Sequence, residues 1–218
     1  MASPTAAPFV PGGADLDGLR RAAASCRGCD LYEPATQTVF SAGAATARVM
    51  LVGEQPGDQE DRQGMPFVGP AGKVLDRALE EADIDRTKAY VTNAVKHFKF
   101  TRSAPGKRRI HQTPTALEIQ ACKPWLVAEL AVLDPEIVVS LGATAGRALF
   151  GASFRVTKQR GLLLPRPPLD EEDAARQNTF AVATIHPSAV LRADEERREA
   201  AYQGLVSDLR VAAEVLAA

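Results

Sequence analysis

Three histidines, a basic run and a few carboxylates carry most of the chemistry this sequence could perform. The run is Lys107-Arg108-Arg109-Ile110-His111, held between Pro105-Gly106 and Thr113-Pro114, and it reads as a loop ending in an imidazole. From Ala94 to Leu117 there are six Lys or Arg (Lys96, Lys99, Arg102, Lys107, Arg108, Arg109) and no Asp or Glu, in a chain of formal net charge -1. The remaining residues therefore sum to -7. Charge concentrated in this way lets a nearly neutral protein address a phosphate backbone. A solvated surface loop is the plainer reading of the same run.

Gly53-Glu54-Gln55-Pro56-Gly57-Asp58 is either a tight turn with an acidic helix cap or a polar turn presenting Glu54 and Asp58 to a substrate. A nucleotide phosphate loop is a poor fit, because Gly69-Pro70-Ala71-Gly72-Lys73-Val74 lacks the spaced first glycine and the hydroxyl after lysine. Phe67, on the Pro/Gly-rich stretch Pro66-Phe67-Val68-Gly69, is core by default but could stack on a base.

Three cysteines, Cys26, Cys29 and Cys122, are too few for a disulfide framework and point to a reducing compartment with metal binding as their use. His97 is the obvious fourth donor, since the other histidines are His111 and His186. Cys3His suits tetrahedral zinc. An iron-sulfur cluster also accepts imidazole in place of thiolate, and spacing does not choose between the two. His97 as a strand-end residue without a ligand role is the alternative.

These groups need a scaffold. Continuous apolar runs predict strands at 48–53, 89–93, 136–141 and 180–185, with an extended piece at 38–40. Helical periodicity and caps predict helices at 15–25, 73–82, 115–133, 145–150 and 195–216. Residues 160–173 read as a variable connection. Strands alternating with helices imply an α/β fold with a parallel sheet covered on both faces by right-handed crossovers. Ligands gather at the carboxyl ends of such strands. Here those ends carry Glu54 to Asp58, Asn93, Gly142 to Thr144 and His186, and the basic loop begins soon after Asn93.

A hydrophobic content of 45% lets this chain bury a core, expected as one domain over 15–218 with a disordered tail at 1–14. Neither a signal peptide nor a membrane span is evident, so the expected location is the cytoplasm, with nucleoid association when bound to DNA.

In order and spacing, Gly53-Glu54-x-Pro56-Gly57, Pro66-Phe67-Val68-Gly69-x-Ala71-Gly72, Thr92-Asn93-x-Val95-Lys96, Leu141-Gly142 and His186-Pro187-Ser188 resemble the iron-sulfur uracil-DNA glycosylases. The match covers nearly everything from Cys26 to the last helix. Those enzymes usually carry cysteine where this chain has His97, so the resemblance makes His97 the expected fourth cluster ligand beside Cys26, Cys29 and Cys122. It implies a structural [4Fe-4S] cluster, with zinc as the alternative, and a central four-stranded parallel sheet. Gln55 after the motif glutamate and the inserted basic loop resemble the UdgX group, whose members end covalently attached to uracil-containing DNA through the loop histidine.

The resemblance assigns Phe67 to stacking on a flipped uracil, Asn93 to its polar edge and His186 to uracil O2. Glu54, Asp58 and Gln55 join His111 as catalytic candidates, with Glu54 positioning the imidazole for attack at C1′. Lys107 and Arg108 would meet phosphate and Arg109 would shape the loop. Their positive charge is expected to depress the His111 pKa. The expected partner is uracil-containing DNA, preferably single-stranded, bound by a monomer. A multiple-turnover uracil glycosylase and a non-catalytic uracil or single-strand binding module are the competing readings.

Overall fold

The computed structural model describes residues 3–104, 107–174 and 179–218. In chain order, α1 (Leu16–Ala23) precedes β1 (Ser41–Ala42), β2 (Val49–Gly53), α2 (Asp58–Gln63), α3 (Pro70–Glu81) and β3 (Ala89–Asn93). The short β4 (Phe100–Arg102) and β5 (Arg109–His111) follow, then α4 (Ala116–Leu133), β6 (Ile137–Leu141) and α5 (Ala143–Phe150). The chain ends with α6 (Val156–Gln159), β7 (Leu163–Pro165), α7 (Glu171–Ala174), β8 (Phe180–Thr184), α8 (Pro187–Arg192) and α9 (Glu195–Ala217).

The four expected strands form the centre of the sheet as β3-β2-β6-β8, and every neighbouring pair among them is parallel. The sheet is wider than expected, because antiparallel β1 and β7 add a strand at each edge and make six. β7 falls in the stretch read as a connection. At three residues it is too short to show a period in sequence.

Alternation along the central strands sorts the core into two layers. Met50, Val52, Tyr90 and Val138 pack with Leu19, Trp125, Leu126 and Leu130 of α1 and α4. Val49, Leu51, Val91 and Val139 pack with Leu75, Leu79, Leu205 and Leu209 of α3 and α9. Both faces are thus buried, which is why these strands read as unbroken apolar runs.

Two expectations need correction. The N-terminal tail, expected to be disordered, is packed over its described residues. Ala6 is buried, its N–H donates to the Ala121 carbonyl at 2.7 Å, and Phe9 and Val10 pack on the α1–α4 layer. Small residues permit this close approach: a Cβ at Gly28 would lie 2.6 Å from the Ala6 Cα. Composition alone misses the fit because it depends on a groove made by distant residues.

The basic run is the second correction. Its end is not irregular loop, because β4 and β5 form an antiparallel hairpin pairing Phe100 with His111, Thr101 with Ile110 and Arg102 with Arg109. Strand alternation places Arg109 and His111 on one face and Ile110 on the other. Pro105 and Gly106 lie outside the described residues.

Candidate active site

The ends of β2, β3, β6 and β8 build the site, because a parallel sheet brings its carboxyl ends to one edge. Gly53 closes β2. A Cβ there would lie 2.3 Å from Asn93 Oδ1 and 2.6 Å from Phe67 Cζ, so only glycine lets those side chains approach. Phe67 holds φ at +56°, an unfavourable conformation for an aromatic residue that costs about 1–3 kcal/mol. Surrounding packing fixes it there, and its ring stacks near His186 with centroids 6.0 Å apart.

Asn93 is buried, with only 2% of its surface exposed, yet its side-chain amide makes no hydrogen bond to a described residue. The amide atoms are not among the sealed, unpartnered polar atoms, so they keep access to solvent and are open to a ligand with a complementary polar edge. The turn behind it is tightly held. Ala94 and Val95 N–H groups donate to the carbonyls of Gly53 and Glu54 at 2.9 and 3.1 Å. Lys96 Nζ donates to the Asn93 carbonyl at 3.0 Å and reaches Glu129 of α4 at 2.6 Å, in an ion pair fully removed from solvent.

His186 caps α8. Its Nδ1 accepts the Ser188 backbone N–H at 3.2 Å and lies 2.7 Å from Ser188 Oγ, which in turn accepts from Arg192 at 2.8 Å. With Nδ1 accepting, the neutral ring carries its proton on Nε2. Burial, then repulsion from Arg192 and His111, pushes the His186 pKa down to about 4, so the ring is a neutral donor at physiological pH.

His111 stands at the end of β5, half exposed, with its ring beside Phe98 at 6.0 Å. Its Nε2 lies 3.4 Å from Glu54 Oε1, while Glu54 Oε2 accepts from the Thr144 hydroxyl. The His111 pKa is lowered, as expected, but for a different reason. Burial is the largest cause and Arg192 adds repulsion, against an upward pull from Glu54. The cations of its own run are not what depresses it, because Arg109 is already neutralised by carboxylates.

Arg109 is buried. Its guanidinium donates to Asp58, to Asp61 Oδ2 at 2.5 Å and to Thr36 Oγ1 at 3.1 Å, and it lies over the Phe98 and Phe100 rings. Asp58, expected to be catalytic, is therefore engaged by Arg109 and by Arg62 at 3.0 Å; desolvation opposes the fall of its pKa, and the two guanidiniums outweigh it. Gln55 was also expected to be catalytic. Its amide instead accepts the Lys99 N–H at 3.0 Å and donates to the Lys99 and Gln112 carbonyls at 3.2 and 3.0 Å, stitching the base of the hairpin.

Sequence reasoning missed Asp61, fully buried, which also accepts the Thr36 N–H. The signal was the Asp58-x-x-Asp61 spacing, which puts both carboxylates on one face of α2. It also missed the electrostatic role of Arg192, which is visible only once α8 is folded against the hairpin.

The candidate metal donors lie on another side of Asn93. Cys26 Sγ accepts from Trp125 Nε1 and Cys122 Sγ from the Lys96 backbone N–H, each at 3.3 Å. The three thiols are unbridged and repel one another as thiolates; burial first, then that repulsion, raises the Cys122 pKa to about 12. Thr38 Oγ1 donates to the Ala23 carbonyl and so accepts from His97 Nε2, leaving His97 Nδ1 with its lone pair. Neutral imidazole is favoured there, because burial pushes the His97 pKa down to about 4. Among the described residues no three such groups are arranged around one ion. The donor chemistry fits a cationic group all the same: buried thiols with N–H donors aimed at sulfur and an imidazole lone pair.

The sheet edge thus gathers an open amide, a neutral imidazole donor and an aromatic face. The family model of the uracil DNA glycosylase superfamily matches residues 40–210, and the chain belongs to that superfamily. It is 36% identical over 168 residues to a type-4 uracil-DNA glycosylase of Thermotoga maritima, covering 77% of this chain and 78% of the relative. A type-4 uracil-DNA glycosylase of Archaeoglobus fulgidus is 33% identical over 188 residues, covering 84% and 87%. A type-5 uracil-DNA glycosylase of Thermus thermophilus is 33% identical over 161 residues, covering 63% and 68%.

Proposed function

We propose that this protein excises uracil from DNA and captures the resulting sugar on His111. The observation that carries the reading is a half-exposed, neutral-leaning imidazole on the hairpin, held 3.4 Å from Glu54.

A flipped uracil stacks on Phe67 and pairs with the Asn93 amide, whose donor and acceptor match its carbonyl and N–H; cytosine presents the reverse pattern. As the C1′–N1 bond breaks, its electron pair passes to uracil, and His186 Nε2–H stabilises the charge that develops on O2. The lone-pair nitrogen of His111 forms a new bond to C1′. The ring becomes a cationic imidazolium, which the Glu54 carboxylate stabilises. Water displaces such a substituent poorly, so the reaction stops at one DNA per protein. Exposed Lys107 and Arg108 bring positive charge to the phosphates. Cys26, Cys29, Cys122 and His97 would hold a [4Fe-4S] cluster, a structural tie between the turn after β3 and α4.

A denaturing gel of protein mixed with single-stranded uracil DNA tests this directly. The intact chain should give a covalent band that His111→Ala lacks; no adduct in the intact chain, or its persistence in the variant, overturns the proposal. His111→Ser should readmit water and release free uracil over repeated turnovers. A multiple-turnover enzyme would instead release several uracils per intact protein without a covalent band.

A further inference from the structure

We propose that Thr144 is a positioning residue that fixes the orientation of the Glu54 carboxylate, so that one of its two equivalent oxygens faces the hairpin. The inference deepens the reading of Glu54 given above and rests on it. The carboxylate divides its two oxygens between two partners: Oε1 faces His111 Nε2 at 3.4 Å and Oε2 accepts from Thr144 Oγ1. A glutamate carboxyl rotates easily about its last torsion, because sp³–sp² torsions have broad, shallow wells. Something outside the side chain must therefore choose its orientation, and Thr144 is the described residue that does so.

Thr144 is well placed for this task. It is buried, with 2% of its surface exposed, near the start of α5. The turn before it is fixed by Gly142, whose φ of +96° suits glycine and whose N–H donates to the Thr184 carbonyl at 2.9 Å. A Cβ on Gly142 would lie 2.9 Å from the His186 Cβ. One turn thus presents Thr144 to Glu54 and packs against the uracil-facing histidine, so the two sides of the reaction share a rigid support. The hydroxyl leaves Oε1 directed at the imidazole, where it meets the positive charge formed on the ring. Without it the carboxylate samples orientations that face neither nitrogen.

The test uses Thr144→Val, which keeps the shape and loses the hydroxyl, beside Thr144→Ser, which keeps the hydroxyl. Uracil release and covalent adduct are timed in the same single-turnover reaction, with DNA affinity and melting temperature measured in parallel. Thr144→Val should slow the chemical step about tenfold at unchanged affinity and melting temperature, and Thr144→Ser should stay within about twofold. In the Glu54→Gln background Thr144→Val should add nothing, because the hydroxyl acts only through the carboxylate. A wild-type rate for Thr144→Val, or a full additive loss on Glu54→Gln, overturns the inference. Should the intact chain release uracil without an adduct, the capture by His111 fails, while the Thr144 inference is decided on the release rate.

Discussion

The pocket at the sheet edge and the β4–β5 hairpin hold their residues in opposite ways. Asn93 and His186 sit at the ends of buried parallel strands and Phe67 on the turn between α2 and α3, with close glycine contacts at each of the three. The hairpin has two strands of three residues, and its ties to the body are polar: Gln55 at its base and Arg109 on Asp58 and Asp61. Asn93 is 2% exposed, whereas the His111 side chain is 48% exposed. A short two-stranded ribbon is marginal alone, so those polar ties decide whether it has a single position. On the function proposed above, base recognition would fall to the sheet edge and the fate of the sugar to the attached hairpin.

Damage to the pocket should produce the largest effect. Asn93→Ala should lower both uracil release and adduct on the order of a hundredfold or more, because both need the base held. Loss of adduct alone, by gel and by uracil quantification, would break the proposed division. Arg109→Met should come next. It leaves the fully buried Asp61 carboxylate without its cation, at a cost of roughly 3 kcal/mol, and frees the hairpin. Adduct should then fall much further than uracil release, with a lower melting temperature.

Gln55→Ala should act more gently, slowing the adduct about tenfold with release nearly intact, since it removes three hydrogen bonds at the hairpin base. Equal loss of both activities would return Gln55 to the chemistry itself. The smallest effect concerns pH. Attack needs neutral His111, so the adduct rate falls as pH drops through a pKa that burial, then Arg192, holds below the ordinary imidazole value. Arg192→Gln removes one of those downward pushes. The acid limb of the rate profile should therefore move to higher pH, and a limb that stays put would separate Arg192 from the hairpin.

Much of the fold was legible because a strand buried on both faces must be apolar throughout. The runs at β2, β3, β6 and β8 therefore stood out, and with them the site positions that follow each strand. Helix α4 was equally plain, with Thr115 and Glu118 forming a capping box and Asp134 ending it in a left-handed turn. The hairpin was not legible. Phe100-Thr101-Arg102 and Arg109-Ile110-His111 are too short to establish a period, and their pairing is set by side chains from other elements. The ion pair of Asp58 was not legible for a related reason: it depends on which cation reaches the carboxylate, and Arg109 arrives from 51 residues away.

What the sequence determined by itself is the list of candidate groups for the sheet edge: Glu54, Phe67, Asn93, His186 and, at the end of a basic run, His111. Side-chain chemistry and the ends of apolar runs point to Glu54, Asn93 and His186, because both are local properties, and the family resemblance adds Phe67 and His111. The tertiary structure alone decided which partners hold those groups. Only folding removes Arg109 from solvent and gives it to two aspartates, turns Gln55 into a clamp and sets Thr144 against Glu54. Only folding, through burial and the approach of Arg192, lowers the pKa of His111. Burial and distance govern all four outcomes, and neither is a property of residues adjacent in the chain.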